Sequence, residues 1–145
     1  MVFFGEYEVS FSGIGRIVLP KKIRALLKGN IFILAKGSIN CLAGYDRENW
    51  EKRTQELLQS SLLEDSNADK KRFVFSSIVY PEIDDQGRFV IPKNLLKHAG
   101  LNNKATIIGV GDHFEIWEPQ KWNAYLKQIH PQAIVPLGSG QARKL

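Results

Sequence analysis

The chain contains two copies of one sequence unit, placed 72 residues apart. The segment FSGIGRIVLPKKI at residues 11–23 aligns without a gap with IDDQGRFVIPKNL at residues 83–95. The same offset places Trp50 on Trp122. Positions that coincide within the two segments are Gly15 and Gly87, Arg16 and Arg88, Pro20 and Pro92, and Lys21 and Lys93. Because a unit this short buries too little apolar surface to fold alone, the two copies are expected to share one core.

Local patterns predict the same elements in both copies. Short apolar-containing stretches lie beside the glycine turns, at residues 8–11, 16–19 and 88–91, and they are typical of strands. A proline then marks the start of a short helix, which a glycine ends at Gly29 or Gly100. Two apolar stretches follow in each copy and predict buried strands, at residues 31–34, 41–43, 106–108 and 114–116.

A longer helix is predicted to follow each set of strands. Asp46 can cap the first, and Pro119 opens the second. Their apolar stripes are expected to pack in the core or between subunits, and they consist of Trp50, Leu57, Leu58 and Leu62, and of Trp122, Tyr125, Leu126 and Ile129. We predict a first repeat over 5–48, a helical connector over 49–76, a second repeat over 77–120, a C-terminal helix over 121–130 and a disordered tail over 131–145.

Composition excludes several classes of protein. Of the 145 residues, 43% are hydrophobic and 24% are charged, which suits a folded domain rather than a disordered chain. No apolar run approaches the roughly 18 residues of a membrane span, so we expect a cytosolic protein without membrane contact. The single cysteine, Cys41, excludes an internal disulfide and a cysteine-based zinc site, and the sequence suggests no cofactor.

The net charge of +5 is concentrated near the N-terminus. Residues 1–28 carry five cations and two carboxylates, a local excess of three. A basic cluster of this kind favours a polyanionic partner, although a solvated basic face explains the charge equally well.

The repeated unit resembles a known class of proteins. Each unit consists of a strand, a tight turn ending in Gly-Arg, a second strand ending in Leu-Pro or Ile-Pro, a short helix and a hairpin. This order of elements is similar to the swapped-hairpin unit of the AbrB/SpoVT class of bacterial DNA-binding proteins. Two such units, each followed by a helix bearing Trp50 or Trp122, resemble the MraZ family over residues 1–130. The resemblance implies an α+β fold, a β-rich swapped-hairpin, AbrB-like barrel formed by two internal repeats with appended helices.

The resemblance also implies a function. Members of this family regulate transcription, mainly as repressors of the division and cell-wall gene cluster, and they bind tandem promoter repeats as ring-like oligomers. The partners implied are therefore double-stranded promoter DNA and further copies of the chain, in the nucleoid-associated part of the cytoplasm.

In that family an Asp-x-x-x-Arg motif in each turn brings an arginine to DNA. Asp84 and Arg88 fill the motif in the second copy, whereas in the first copy Ser12 stands four residues before Arg16. An arginine fork suits the guanine edge, because it donates to O6 and N7 together. Gly15 and Gly87 would allow a positive φ at the turn. The candidate phosphate contacts are Lys21, Lys22, Arg24, Lys93 and Lys97.

Two other functions stay open at this point. An enzyme would need a nucleophile with an oriented base, and the sequence offers only Cys41 near His113 for that role. A protein-interaction module, such as an AbrB-type antitoxin, would share the fold and the basic face. No glycine-rich phosphate-binding motif is present.

Overall fold

The computed structural model describes residues 2–59 and 65–133. The first repeat contains β1 (Glu6–Ser10), β2 (Arg16–Val18), α1 (Lys21–Arg24), β3 (Ile33–Lys36), β4 (Leu42–Tyr45) and α2 (Arg47–Leu58). After α3 (Asp65–Phe75), the second repeat contains β5 (Arg88–Val90), α4 (Lys93–Ala99), β6 (Lys104–Gly109), β7 (Phe114–Trp117) and α5 (Pro119–Ala133).

The two repeats are joined by exchanging strands. β1 pairs with β6, and β4 pairs with β7, so each pairing crosses from one repeat to the other. The counterpart of β1 in the second repeat lies against β3, through bridges of Val79 with Leu34 and of Glu82 with Ile31. Neither repeat therefore completes its own sheet, as the swapped hairpin predicts.

The strands do not close into a barrel. Hydrogen bonds among the described residues link them into an open five-stranded antiparallel sheet, in the order β1-β6-β7-β4-β3, and a separate two-stranded ribbon of β2 and β5. The five described helices also contain more residues than the seven strands. The predicted α+β class is therefore confirmed. The described strands do not show the predicted closed barrel, and the fold is less β-rich than predicted, because the connector and C-terminal helices contribute more residues than the short strands do.

The sheet is buried on both faces. One face meets the ribbon and the short helices in the main core, where Ile17 and Phe89 of the ribbon pack with Phe32, Leu34 and Ile107. The other face is covered by the long helices, through clusters centred on Tyr45 with Trp50 and on Trp117 with Trp122. The alternation of side chains along each strand assigns them to these two cores.

The tryptophan stripes of the long helices pack partly as predicted. Trp50 lies 5.2 Å from the Tyr45 ring, and Trp122 lies 5.2 Å from the Trp117 ring. Leu58, however, is 61% exposed. Leu62 lies outside the described residues. Leu57 is buried at 4% exposed, so the stripes pack in part and leave Leu58 and Leu126 exposed.

The C-terminal helix is longer than predicted. It runs through residues 131–133, which the sequence assigned to a disordered tail, because Pro131 is preceded by three helical turns with an apolar stripe. The rest of that predicted tail, residues 134–145, lies outside the described residues, as do residues 60–64 of the predicted helical connector. Of the helices that are described, none is long and apolar enough to cross a bilayer.

Candidate nucleic-acid interface

The ribbon presents four side chains on its outer face. In its register Arg16 lies opposite Val90, Ile17 opposite Phe89, and Val18 opposite Arg88. The central pair points inward, since Ile17 is 0% and Phe89 is 2% exposed. Side chains alternate along a strand, so the outer face consists of Arg16, Val18, Arg88 and Val90. Both arginines therefore lie on one face of the ribbon, at diagonal corners.

Asp84 organises the turn that precedes Arg88, which we call the second turn (residues 84–87). Its Oδ1 accepts the backbone N–H groups of Gln86, at 2.9 Å, and Arg88, at 2.8 Å. Its Oδ2 accepts Nε of Arg88 at 2.9 Å. The Arg88 backbone N–H, followed by the guanidinium and the Gln86 N–H, holds the pKa of Asp84 below its usual range. The carboxylate is therefore ionised at neutral pH and fixes both the turn and the arginine.

The bond to Asp84 uses one edge of the Arg88 guanidinium. Nε is occupied, while Nη1 and Nη2 form no hydrogen bond or ion pair with another described residue. An arginine held in this way keeps two parallel donors for an acceptor pair, and loses less side-chain entropy when it binds. Arg88 is thus preorganised for bidentate recognition.

The first turn (residues 12–15) lacks this arrangement. The backbone N–H of Ser12 donates to the Arg16 carbonyl oxygen at 2.9 Å, just as the backbone N–H of Asp84 donates to the Arg88 carbonyl oxygen. The Ser12 hydroxyl reaches the same carbonyl at only 3.5 Å. Within residues 2–59 and 65–133, the Arg16 guanidinium has no hydrogen bond or ion pair. The two turns share a backbone course but differ in how firmly they hold their arginine.

Arg24 has a different position from the one expected. Its Nε donates to the Leu19 carbonyl oxygen at 2.9 Å, and its guanidinium lies over Gly87, where a Cβ would come within 2.5 Å of Cζ. Gly87 also has φ +81°, a left-handed conformation that favours glycine, and a side chain there would have to displace the Arg24 guanidinium. Arg24 thus braces the second turn, and its predicted phosphate contact stays a prediction.

The equivalent contact at the first turn is apolar. Leu96, 72 positions after Arg24, lies over Gly15 with Cδ1 3.3 Å from where a Cβ would stand. Gly15 has φ +75°, and the Ile91 carbonyl oxygen also blocks a side chain there. The repeat offset pairs Arg24 with Leu96, so the sequence contained the signal for this difference.

The predicted lysines flank the ribbon. Lys21 and Lys22 begin α1 directly after β2, and Lys93 begins α4 directly after β5, all three exposed. Lys97 is exposed one turn later in α4. The outer face and these cations form a basic surface, interrupted at the tip of the second turn by exposed Asp85.

The sequence of this chain is similar to the sequences of known proteins. A family model described as "MraZ protein, putative antitoxin-like" matches the chain twice, over residues 2–73 and 74–134. The chain belongs to the MraZ family. Similar relatives, each named "Transcriptional regulator MraZ", come from Acetivibrio thermocellus, at 39% identity, and Ligilactobacillus salivarius, at 37%. Each comparison spans 124 residues and covers 86% of this chain and 86% of the relative. The double match confirms the two copies predicted from the internal repeat.

The histidine and cysteine that an enzyme would use are not arranged as a catalytic pair in this MraZ family member. Burial, followed by the charge of Glu115, raises the pKa of the Cys41 thiol to about 12. His113 instead contacts two carboxylates, with Nδ1 2.7 Å from Asp112 and Nε2 3.1 Å from Glu115. A buried thiol that stays protonated is a poor nucleophile. The described residues also contain no cluster of His, Cys, Asp or Glu suited to a metal ion.

His113 makes stability depend on pH. Burial lowers the pKa of its imidazole, but Glu115 and Asp112 outweigh that effect and raise the pKa above the ordinary 6.5. The imidazolium therefore stabilises the fold fully below about pH 6.5. This contribution is lost as pH rises through the raised pKa of the folded state.

We expect His113→Gln to destabilise the protein by roughly 1–3 kcal/mol at pH 6 and by less at pH 9. The ring also stacks on Tyr45 at 5.0 Å, so part of the loss is independent of pH. Urea unfolding of wild type and variant at both pH values measures the difference. A gap that is equal at both pH values, or wider at pH 9, would contradict the assignment of a charged imidazole.

Proposed function

We propose that this protein is a sequence-specific DNA-binding transcriptional regulator, and that it represses the division and cell-wall gene cluster. The observation that carries the proposal is the outer face of the ribbon, where Asp84 holds Arg88 through Nε and no described residue hydrogen-bonds to its two terminal amino groups. The relatives named as transcriptional regulators support the same conclusion. Its place of action would be the nucleoid, in the cytoplasm.

The major groove of B-DNA accepts a two-stranded β-ribbon. With the outer face against the base edges, Nη1 and Nη2 of Arg88 donate to O6 and N7 of a guanine. Arg16 reads a second position from the diagonal corner of the same face. Lys21, Lys22 and Lys93 then lie toward the backbone on either side and bind phosphates, which contributes affinity without sequence information.

One ribbon covers too little DNA for strong specificity. A specific protein–DNA interface buries on the order of 1,000 Å² or more, whereas this outer face consists of four side chains. We therefore infer that several copies act together, as a ring-like homo-oligomer on tandem promoter repeats. Once one ribbon of the oligomer is bound, the others are held at a high effective concentration near the next repeats. The affinity of the oligomer would then far exceed that of one ribbon.

A second candidate function is a protein-interaction module of the antitoxin type. The description of the matching family, which includes the words "antitoxin-like", favours it. The same fold and basic surface would then contact an acidic protein rather than DNA. Because a carboxylate accepts both terminal amino groups of an arginine as a guanine edge does, the DNA-binding experiment below decides between the two functions.

Footprinting on the DNA upstream of the protein's own gene tests the proposal. We expect protection of short repeated elements, with log Kd rising by roughly 0.9 per log unit of salt for each phosphate neutralised. Lys21→Ala should weaken binding to the protected element and to unrelated DNA alike. Uniform coverage of the fragment without distinct protected elements would overturn sequence-specific regulation, as would an absence of binding at low salt.

The first turn allows the role of the carboxylate to be tested by adding one. Ser12→Asp places an aspartate where Asp84 stands in the other copy. We expect tighter binding to the protected element, by about threefold to tenfold, because the new carboxylate accepts from the turn and holds Arg16. Electrophoretic mobility shifts measure the change, with Ser12→Asn as the neutral control. Weaker binding by the aspartate variant would mean that its charge repels phosphate more than it orders the turn.

A further inference from the structure

The outer face of the ribbon pairs each arginine with an exposed valine. Val18 is 40% exposed and lies directly opposite Arg88, while Val90 is 50% exposed and lies directly opposite Arg16. The pattern arginine, buried apolar residue, valine occurs in both copies, as Arg16-Ile17-Val18 and Arg88-Phe89-Val90. The outer face of the ribbon therefore carries two exposed apolar side chains beside its two arginines.

Strand formation alone does not account for these valines. An outward position on a solvated ribbon is served equally well by threonine, which has the same branched shape and a hydroxyl for water. A pair of exposed apolar groups among cations is better matched to a surface that is both anionic and locally apolar. In the major groove, the thymine C5-methyl is the apolar group that base pairs present between their polar edges.

We propose that Val18 and Val90 contact thymine methyl groups, each beside the base that the opposite arginine reads. This inference rests on the proposed function and specifies its substrate: a DNA element in which a guanine is adjacent to a thymine at each end of the ribbon. The arginines supply hydrogen bonds to guanine, and the valines distinguish thymine from cytosine by the methyl group.

The spacing fits adjacent base pairs. Cβ atoms of directly opposite residues in an antiparallel pair are about 4.5–5.5 Å apart. Successive bases along one DNA strand are separated by about 3.4 Å. An arginine extends several bonds past its Cβ, whereas the valine methyl groups extend one bond past theirs, so Arg88 and Val18 can meet neighbouring base pairs at one end of the ribbon. Arg16 and Val90 repeat the arrangement at the other end.

Uracil provides a test that removes only the methyl group. The duplex protected in the footprint is synthesised with each thymine replaced in turn by deoxyuridine, which keeps every hydrogen-bonding group. We expect wild type to lose about fourfold in affinity at a contacted thymine, from the loss of one buried methyl. Val18→Ala and Val90→Ala should each lose the preference for thymine over uracil at one contacted position. At that position the variant should bind the thymine duplex and the uracil duplex with equal affinity. Val110→Ala, at a valine outside the ribbon that is 43% exposed, should behave as wild type.

The outcomes separate this inference from the proposed function. If wild type binds no upstream element, both fall. If wild type binds specifically but affinity is unchanged by uracil at every position, the valine contact is overturned and the arginine contacts stand. Full thymine preference retained by both valine variants, with thermal stability unchanged, would also overturn it.

Discussion

Arg88→Ala is expected to abolish most of the sequence preference of the protein while leaving its fold intact. Removing a bidentate arginine contact costs about 1–3 kcal/mol per site, or roughly 5-fold to 150-fold in affinity for the specific duplex. Copies that act together in one oligomer each lose this contact, so the measured loss grows with their number. Binding to unrelated DNA should fall far less, because the phosphate contacts remain.

A matched arginine elsewhere gives the control. Arg72 also pairs with an aspartate, with 2.8 Å between its Nη1 and Oδ1 of Asp69, but it lies on α3 with its side chain 74% exposed. Arg72→Ala and Arg88→Ala should have the same melting temperature and elution volume, and only the latter should lose specific binding in fluorescence anisotropy titrations. Specific binding by Arg88→Ala that equals that of wild type would refute the assignment of the outer face as the reading surface.

Phe89→Ala is expected to give the largest loss of stability. Phe89 is 2% exposed and lies 5.0 Å from the Phe32 ring, edge on, at the inner side of the ribbon. Truncating a buried phenylalanine costs about 3–5 kcal/mol, a large share of the 5–15 kcal/mol typical of a folded domain. The melting temperature should drop by on the order of 10 °C. The ribbon loses its anchor, so DNA binding should weaken at temperatures where the variant remains mostly folded.

Differential scanning calorimetry of three variants separates burial from aromatic content. Phe89→Leu retains part of the apolar volume and should lose less stability than Phe89→Ala. Phe4 is 61% exposed, and Phe4→Ala should stay within about 0.5 kcal/mol of wild type. A melting temperature of Phe89→Ala within 2 °C of wild type would show that the ribbon is not anchored through this ring.

Much of the fold follows from the repeat and from local chemistry. Pro20 and Pro92 do precede short helices, and Gly100 does end α4 in a left-handed conformation. The open sheet could not be predicted from the sequence, because hydrogen bonds between distant segments decide whether the strands form one barrel or two sheets. The length of α5 was also missed, since packing on the sheet stabilises a helix beyond the residue where its sequence suggests an end.

The candidate site was predictable in its residue types and less so in their arrangement. The Asp-x-x-x-Arg spacing led to Asp84 and Arg88, and the structure adds how the aspartate divides its two oxygens. The contact of Arg24 with the second turn was not predictable, because an arginine beside a turn looks the same in sequence whether it faces solvent or packs on a glycine. The exposure of Val18 and Val90 was not predictable from the sequence, because valine in a strand is ordinarily a core residue.

Strand exchange between the repeats has an evolutionary consequence. A symmetric dimer of a single unit would carry each substitution twice, and both of its turns would stay identical. Linking the units covalently removed that constraint, so Ser12 can differ from Asp84 and Leu96 from Arg24 within one folded body. One turn can thus stay rigid while the other diverges, and under the proposed function a DNA element need not be palindromic to match the chain.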